Sequence, residues 1–249
     1  MSPRRFLITG ATGGIGRATL QRLLERGDEI LAVGRGLEKL DDLAERSERA
    51  EAEGYGRLAR HRADLMDEGA RAQLAQVAAK GSGGLDGVVY IAGRNDRMPF
   101  DELDEAHVRG VFELNFFAPL LLVRSLVPYL NEGAVLLFVS STLASKPVPG
   151  SAAYSASKAA LESLSRSLAI ELGGRKVRAL SIAPGLVDTA MLREGRSEND
   201  LEFFASLSPL GRIGEPDEIA SLIVHALDNA FLTGVTITVD GGSLTGMSR

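Results

Sequence analysis

The sequence predicts an α/β protein built on a single doubly wound parallel sheet of about seven strands, with helices on both faces. Three observations predict it. Short apolar runs alternate with longer helical patterns along the whole chain. Several runs are apolar without a break, such as Val88-Val89-Tyr90-Ile91 and Val135-Leu136-Leu137-Phe138-Val139. Strands read this way when a parallel sheet is covered on both sides. The alternation itself builds βαβ units.

In chain order, Arg5–Thr9 is a strand that ends in a glycine-rich turn, from which the helix Gly14–Arg26 starts. Strand Glu29–Gly34, helix Leu37–Glu53, strand Arg57–Ala63 and helix Glu68–Lys80 follow. Strand Gly87–Ala92 leads to helix Asp104–Asn131, strand Ala134–Ser140 to helix Ser151–Leu172, and Lys176–Ala183 is the next strand. Leu186–Gly214 reads as one long irregular stretch after a strand's carboxyl end, where loops carry ligand contacts. Helix Glu215–Asn229 and strand Val235–Val239 close the pattern. The helix Asp104–Asn131 is unusual, because Val111, Phe112, Phe116, Phe117, Leu120 and Leu121 cover more than one face. A surface helix carries one apolar stripe. Either this helix is deeply buried, or its second face meets another subunit. The second reading predicts a homo-oligomer, a dimer or tetramer, joined through helices 104–131 and 151–172.

A chain of 249 residues fits one large domain spanning residues 1–249, with residues 186–214 as its substrate loop. A formal net charge of -5 disfavours a broad nucleic-acid surface. The absence of cysteine excludes disulfides, thiolate metal sites and cysteine nucleophiles. His61, His107 and His225 lie far apart and have no metal-ligand spacing, so no metal is expected. No window reaches the roughly 18 apolar residues of a membrane span, and the N-terminus lacks a signal peptide's pattern. A cytoplasmic protein without membrane partners is the expectation.

The turn after the first strand reads Thr9-Gly10-Ala11-Thr12-Gly13-Gly14-Ile15-Gly16. Glycines there let the backbone turn tightly and approach a pyrophosphate, and the helix N-terminus offers free N–H groups to the anion. The second strand ends at Gly34-Arg35. An acid at this point would hold the ribose hydroxyls of NAD. An arginine instead can grip a 2′-phosphate, so NADP(H) is the expected cofactor. Further on, Tyr154-Ser155-Ala156-Ser157-Lys158 places a phenol and an ammonium four residues apart on one helix face. A cation alongside favours the phenolate and lowers the tyrosine pKa, which makes Tyr154 a usable acid or base.

With these residues in view, the chain resembles the short-chain dehydrogenase/reductase family over nearly its whole length. The family's glycine turn falls on Thr9–Gly16, its catalytic tyrosine and lysine on Tyr154 and Lys158, its serine on Ser141 and its helix asparagine on Asn115. The resemblance implies a Rossmann-like fold and a hydride transfer between NADP(H) and a carbonyl or alcohol. It makes Asn115, Ser141, Tyr154 and Lys158 the catalytic group. Ser141 holds the substrate oxygen, Tyr154 exchanges a proton with it, Lys158 also binds the nicotinamide ribose, and Asn115 positions a water. For the cofactor it implies Gly10, Thr12, Gly13, Gly14, Ile15 and Gly16 at the phosphates, and Gly34 with Arg35 at the second strand's end. It adds Asp64 and Leu65 at the adenine, Ala92 and Gly93 along the cleft, and Pro184, Gly185, Val187 and Thr189 at the nicotinamide carboxamide. One departure shows: where the family often has Asn-Asn-Ala-Gly, this chain has Tyr90-Ile91-Ala92-Gly93, which puts strand packing in doubt more than chemistry.

The substrate walls are expected at Arg94–Met98, Leu143–Pro149 and Met191–Leu207. Leu143, Val148, Met191, Leu192, Phe203 and Phe204 suggest an apolar pocket, and Arg94, Arg97 and Arg193 could meet an anionic rim. The expected substrate is a small-molecule carbonyl or alcohol. An alternative is a 3-oxoacyl group presented by an acyl carrier protein. Such a carrier is acidic and needs a basic docking face, whereas Pro128-Tyr129-Leu130-Asn131-Glu132 carries no basic cluster. A remote alternative is a non-catalytic NADPH-binding regulatory protein.

Overall fold

The unbroken apolar runs become strands that are buried on both sides. The computed structural model describes residues 3–50, 53–80 and 83–245. The strands are β1 (Arg5–Thr9), β2 (Glu29–Gly34), β3 (Arg57–Arg62), β4 (Leu85–Tyr90), β5 (Leu130–Val139), β6 (Arg178–Pro184) and β7 (Thr236–Val239). They form one sheet in the order β3-β2-β1-β4-β5-β6-β7, and every pair is parallel. Side chains alternate between two cores, as the two-residue period of a strand requires. Phe6, Ile8, Val135 and Leu137 enter one core, while Leu7, Leu136 and Phe138 enter the other.

The helices are α1 (Gly14–Glu25), α2 (Asp41–Ala50), α3 (Glu68–Lys80), α4 (Glu105–Phe112), α5 (Ala118–Leu126), α6 (Ala152–Leu172), α7 (Ala190–Arg193), α8 (Glu198–Ser206) and α9 (Pro216–Asp228). Leu20 and Leu24 of α1, Leu43 of α2 and Ile223 of α9 fill the first core. Leu74 of α3, Leu122 of α5 and Leu161 of α6 fill the second. The doubly wound parallel architecture expected from the sequence is therefore the one observed.

Several boundaries differ from the sequence expectation. The helix expected over 104–131 is α4 and α5 joined by a π turn at Glu113–Phe117, and it ends in a 3-10 turn at Val127–Tyr129. Strand β5 begins directly after it at Leu130, four residues before the expected Ala134. β3 is an edge strand with Arg57, Arg60 and Arg62 exposed, and charge on an edge discourages pairing with a further strand. Lys176 has a φ of 58°, so β6 cannot start there and begins at Arg178. The expected helix Leu37–Glu53 is a 3-10 turn at Leu37–Leu40 followed by α2, and residues 51–52 lie outside the described residues. The stretch 186–214 is not irregular throughout, since it holds α7 and α8. α8 starts at a capping box in which Ser197 and Asp200 satisfy each other's backbone N–H.

One helix is long and apolar enough to cross a membrane by length and composition alone, a test that the core helices of folded domains also pass. The continuous helix Glu105–Tyr129 has 25 residues and a mean hydropathy of 1.5 over its most apolar window. Its polar residues are spaced widely enough to leave the average high. In the fold, Leu122, Val123 and Leu126 of this helix belong to the core, and Asn115 is fully buried.

Strand order reverses between β1 and β4, and at such a reversal a crevice opens at the carboxyl ends of the strands. The two strand ends are tied together there. Thr9 Oγ1 accepts hydrogen bonds from the backbone N–H groups of Ile91 (3.2 Å) and Ala92 (3.3 Å). Tyr90, in the position where the family often has asparagine, is 1% exposed and donates to the Leu114 carbonyl at 3.0 Å. The phenol thus braces the sheet against the π turn.

At the opposite end of the sheet, Arg178 is buried and donates to the carbonyls of Ala226 (3.1 Å), Leu227 (2.7 Å) and Leu232 (2.9 Å). These include the last-turn carbonyls of α9, which have no partner within the helix. Arg178→Met is expected to lower stability by about 2–4 kcal/mol, because it strands those carbonyls. Urea unfolding midpoints of the two proteins check this, and equal midpoints would contradict it.

Candidate active site

The glycine turn between β1 and α1 is shaped first by its own packing. Gly10 has a φ of +66°, and a Cβ there would lie 2.6 Å from the Ala92 nitrogen. A Cβ on Gly16 would lie 2.2 Å from the Gly10 carbonyl oxygen. Neither position has room for a side chain. Gly13 is different, since a Cβ there would meet nothing nearer than 3.4 Å. No contact within the chain excludes a side chain at Gly13, whereas a ligand lying against the turn would. No side chain caps α1, and its first turn holds no acidic residue. Its N-terminal amides and positive dipole end are free for an anion. The turn therefore fits the pyrophosphate of a dinucleotide.

Arg35, at the end of β2, is exposed and lines the same cleft. The neighbouring Arg17 and Arg60 are bound to Asp42 and Asp41. Arg35 has no hydrogen bond or ion pair with any described residue. Across the cleft Asp64 accepts from the Met66 N–H at 3.0 Å. Thr189 caps α7 by accepting from the Leu192 N–H at 3.3 Å. Gly185 lies where a Cβ would clash with Asp240 at 2.7 Å.

The first turns of α6 bring Tyr154 and Lys158 onto one face, against the end of β5. Both are buried, at 8% and 3% exposure. The Lys158 ammonium donates to the Val139 carbonyl at 2.8 Å and lies 5.8 Å from the centre of the Tyr154 ring. Burial holds the lysine down to about 8, and the buried carboxylate of Glu162, one turn along α6, pulls the other way. Ser140 fixes that carboxylate by donating to Glu162 Oε1 at 2.7 Å.

The tyrosine departs from the sequence expectation. Burial raises its pKa above the ordinary phenol value, and a hydrogen bond with Ser141 opposes the rise. The expected lowering by Lys158 is absent, because desolvation of the phenol dominates and the ammonium is turned toward Val139.

Asn115 sits in the π turn and is 0% exposed. Its amide donates to the Arg94 carbonyl and to Ser157 Oγ, each at 3.0 Å, and its Oδ1 accepts from the Arg94 N–H at 3.0 Å. It ties the loop after β4 to α6.

All of these elements meet at a cleft of about 1700 Å³ over the carboxyl ends of the strands. Every cofactor residue expected from the sequence lines it, as do Ser141, Tyr154 and Lys158. Asn115 does not; it stands behind the wall. Among the expected rim arginines, Arg94 and Arg97 line the cleft and Arg193 does not. Arg193 is held by Asp188 through two hydrogen bonds of 2.5 and 2.7 Å. Sequence reasoning singled out neither Lys146 nor Arg196, which line the cleft. Both lie in stretches expected to form its walls, but nothing local marks which cation of a loop faces inward.

Comparison with known proteins shows the family of the chain. A family model described as enoyl-(acyl carrier protein) reductase matches residues 10–243. The cis-4-hydroxycyclohexanecarboxylate dehydrogenase of Sinomonas cyclohexanicum is 34% identical over 96% of this chain and 96% of its own length. The 3-oxoacyl-[acyl-carrier-protein] reductase of Thermotoga maritima is 30% identical over 95% of this chain and 96% of its own. A dehydrogenase/reductase from Sinorhizobium meliloti superposes with a TM-score of 0.89 at 32% identity, covering 98% of this chain and 96% of that one.

The depressed lysine has a signature in stability. From pH 8 to the ordinary lysine value of 10.5, the unfolded chain carries the Lys158 proton and the folded chain does not. Stability contributed by this group therefore rises with pH across that window and is unchanged below it. Relative to Lys158→Met, the wild type is expected to gain on the order of 3 kcal/mol between those limits. Urea midpoints at the two pH values test it; a difference that does not change with pH would show that Lys158 is not held down.

Proposed function

Because this chain belongs to the short-chain dehydrogenase/reductase family, we propose that it is an NADP(H)-dependent oxidoreductase that reduces a carbonyl of a small or acyl substrate to an alcohol. The observation that carries this reading is a convergence. A phenol hydrogen-bonded by Ser141 and backed by a buried ammonium opens onto the cleft whose other end is the glycine turn and the unpaired Arg35.

The dinucleotide, when bound, supplies the hydride. The residues that would hold it are the Gly10–Gly16 turn with Thr12 at the pyrophosphate, Arg35 at the 2′-phosphate, and Asp64 with Leu65 at the adenine. Ala92 and Gly93 would flank it, with Pro184, Gly185, Val187 and Thr189 at the carboxamide. Ser141 donates a hydrogen bond to the substrate's carbonyl oxygen and fixes it beside Tyr154. Tyr154 gives that oxygen its proton. A phenol raised by burial holds its proton at neutral pH, which suits an acid and hence the reductive direction. Lys158 binds the ribose, and its positive charge stabilises the phenolate left behind. A point above Gly93, where a Cβ would be, lies 3.1 Å from Asn115 Oδ1 and 3.3 Å from Lys158 Nζ. The missing side chain leaves Asn115 Oδ1 and Lys158 Nζ near each other, and a water bridging them would return a proton toward the lysine, with a lone pair of Oδ1 to hold it.

The family model's description and the Thermotoga relative's name point to carrier-bound acyl chains. Two hydroxyl donors meeting at one place suit a carbonyl oxygen better than a carbon–carbon double bond. The basic groups nearest Pro128–Glu132 are already engaged: Lys176 pairs with Glu132 at 2.5 Å, and Arg175 donates to the Val127 and Leu130 carbonyls. This disfavours docking of an acidic carrier there. The name of the Sinomonas relative gives a cyclic hydroxy acid as its substrate, which is a small molecule with the alcohol required. Homo-oligomers formed through residues 105–129 and α6 are part of the same proposal. Phe117 of that helix remains 45% exposed, and Phe112 and Phe116 beside it are only partly buried.

Tyr154→Phe is expected to abolish turnover, followed as NADPH absorbance, while NADPH still binds. Normal turnover would remove the phenol from the scheme. Arg35→Asp is expected to weaken NADPH binding by at least about 1.5–3 kcal/mol, the value of a charged hydrogen bond. Fluorescence titration of the coenzyme measures this, and undiminished NADPH affinity would rule out Arg35 as the phosphate ligand.

A further inference from the structure

The cleft's charge is lopsided. It is lined by the cations Arg35, Arg94, Arg97, Lys146, Lys158 and Arg196, and by one carboxylate, Asp64. The chain as a whole carries a formal net charge of -5. Arg35 and Lys158 serve the cofactor in the reading above, and Arg94 is paired with Asp96. That leaves Arg97, Lys146 and Arg196 at the substrate end; Arg97 and Lys146 have no carboxylate partner among the described residues, and Arg196 acts on Asp200 through its charge without a direct ion pair.

Their placement is specific. Arg196 donates to the Met191 and Leu192 carbonyls and lies 5.4 Å over the Phe204 ring, so its guanidinium is oriented. The Arg97 side chain lies against the turn that opens α6, its Cβ 3.6 Å from where a Gly150 Cβ would be. Packing around Arg97 and the like charge of Arg196 both hold its pKa below the ordinary arginine value. Like charges side by side are unfavourable, and an anion between them relieves this. In the same wall the side-chain oxygen of Asn95 is buried without a hydrogen-bond partner. Being an acceptor, it can meet a donor of the ligand but not the carboxylate, which is left to the cations.

We propose that the substrate is an oxo acid, with its carboxylate docked on Arg97, Arg196 and Lys146 and its carbonyl at Ser141 and Tyr154. The proposal rests on the oxidoreductase reading for the carbonyl end only. Hydride adds to the carbonyl carbon, the Tyr154 proton goes to its oxygen, and the carboxylate is unchanged. Leu143, Met191, Leu192 and Phe204 of the cleft would cover the apolar body between the two ends.

The test uses the protein saturated with NADPH. Calorimetric titration compares cyclohexanecarboxylate with its neutral analogue, cyclohexanecarboxamide. The carboxylate is expected to bind roughly 10-fold or more tightly, the effect of a charge-assisted hydrogen bond. An R97Q/R196Q double variant is expected to lose that preference and keep its carboxamide affinity, while Arg97→Lys retains part of it. In turnover, kcat/KM for 4-oxocyclohexanecarboxylate should fall in the double variant through KM, with its methyl ester unaffected. Equal binding of the two probes, absent carboxylate binding, or an unchanged preference in the double variant overturns the proposal. So does a double variant that loses acetoacetyl-CoA turnover but keeps carboxylate affinity, since the cations would then serve a phosphate. If no carbonyl is reduced but the Arg-dependent preference is present, the anion subsite stands and the oxidoreductase reading falls.

Discussion

Seven parallel strands covered on both faces impose the constraint on which the site depends. All strands run the same way, so all their carboxyl ends emerge along one rim. Helices occupy both faces, which leaves no flat surface for a ligand. The strand order reverses between β1 and β4, and the loops on either side diverge there. Thr9 and Tyr90 hold that seam closed at the backbone, one bonding across to β4 and the other to the π turn. The glycine turn, the Asn115 bridge and the end of β5 are then brought together without any of them being near another in sequence.

The chemistry follows from solvent exclusion at that seam. Burial acts on the two titratable groups of α6 in opposite directions. It keeps the phenol of Tyr154 protonated and pushes the ammonium of Lys158 toward neutrality. Each shift disfavours the charged form, as removal from water does. Ser141 opposes the first and Glu162 the second, which leaves both groups nearer their ordinary values than burial alone would. Ser140, adjacent to Ser141 in the chain, holds Glu162, so neighbouring hydroxyls serve different partners on α6. In the proposed reaction, the proton donor and the cation that stabilises its conjugate base are thus poised by the same desolvation.

Charge in the cleft runs against the charge of the chain. Many surface arginines elsewhere are paired with carboxylates, as Arg22 is with Asp217 and Arg212 with Glu218. Exposed pairs of that kind add little stability. Within the cleft, Arg35 and Arg97 have no ion pair among the described residues, at the ends proposed for the cofactor and the substrate. A cleft with one sign of charge raises the local concentration of anionic ligands.

The two-residue alternation, the strand–helix order and the glycine turn were all legible in the sequence, because each is a relation between neighbours along the chain. The four-residue spacing of Tyr154 and Lys158 was legible for the same reason. The π turn at Glu113–Phe117 was not: it follows from seating Asn115 between the loop after β4 and α6. The choice of Arg196 over Arg193 was not either, since Asp188 is within reach of one and not the other. The start of β5 at Leu130 was missed because packing set it, whereas α7 and α8 bury almost nothing and start at the local caps Thr189 and Ser197, signals that the sequence reading passed over. The direction of the Tyr154 shift was misread, because a cation four residues away is a local fact and burial is not. The sequence by itself determined which groups share a face or a turn. Only the tertiary structure decided which of them lose water and which find a counter-charge, since those depend on contacts between distant segments.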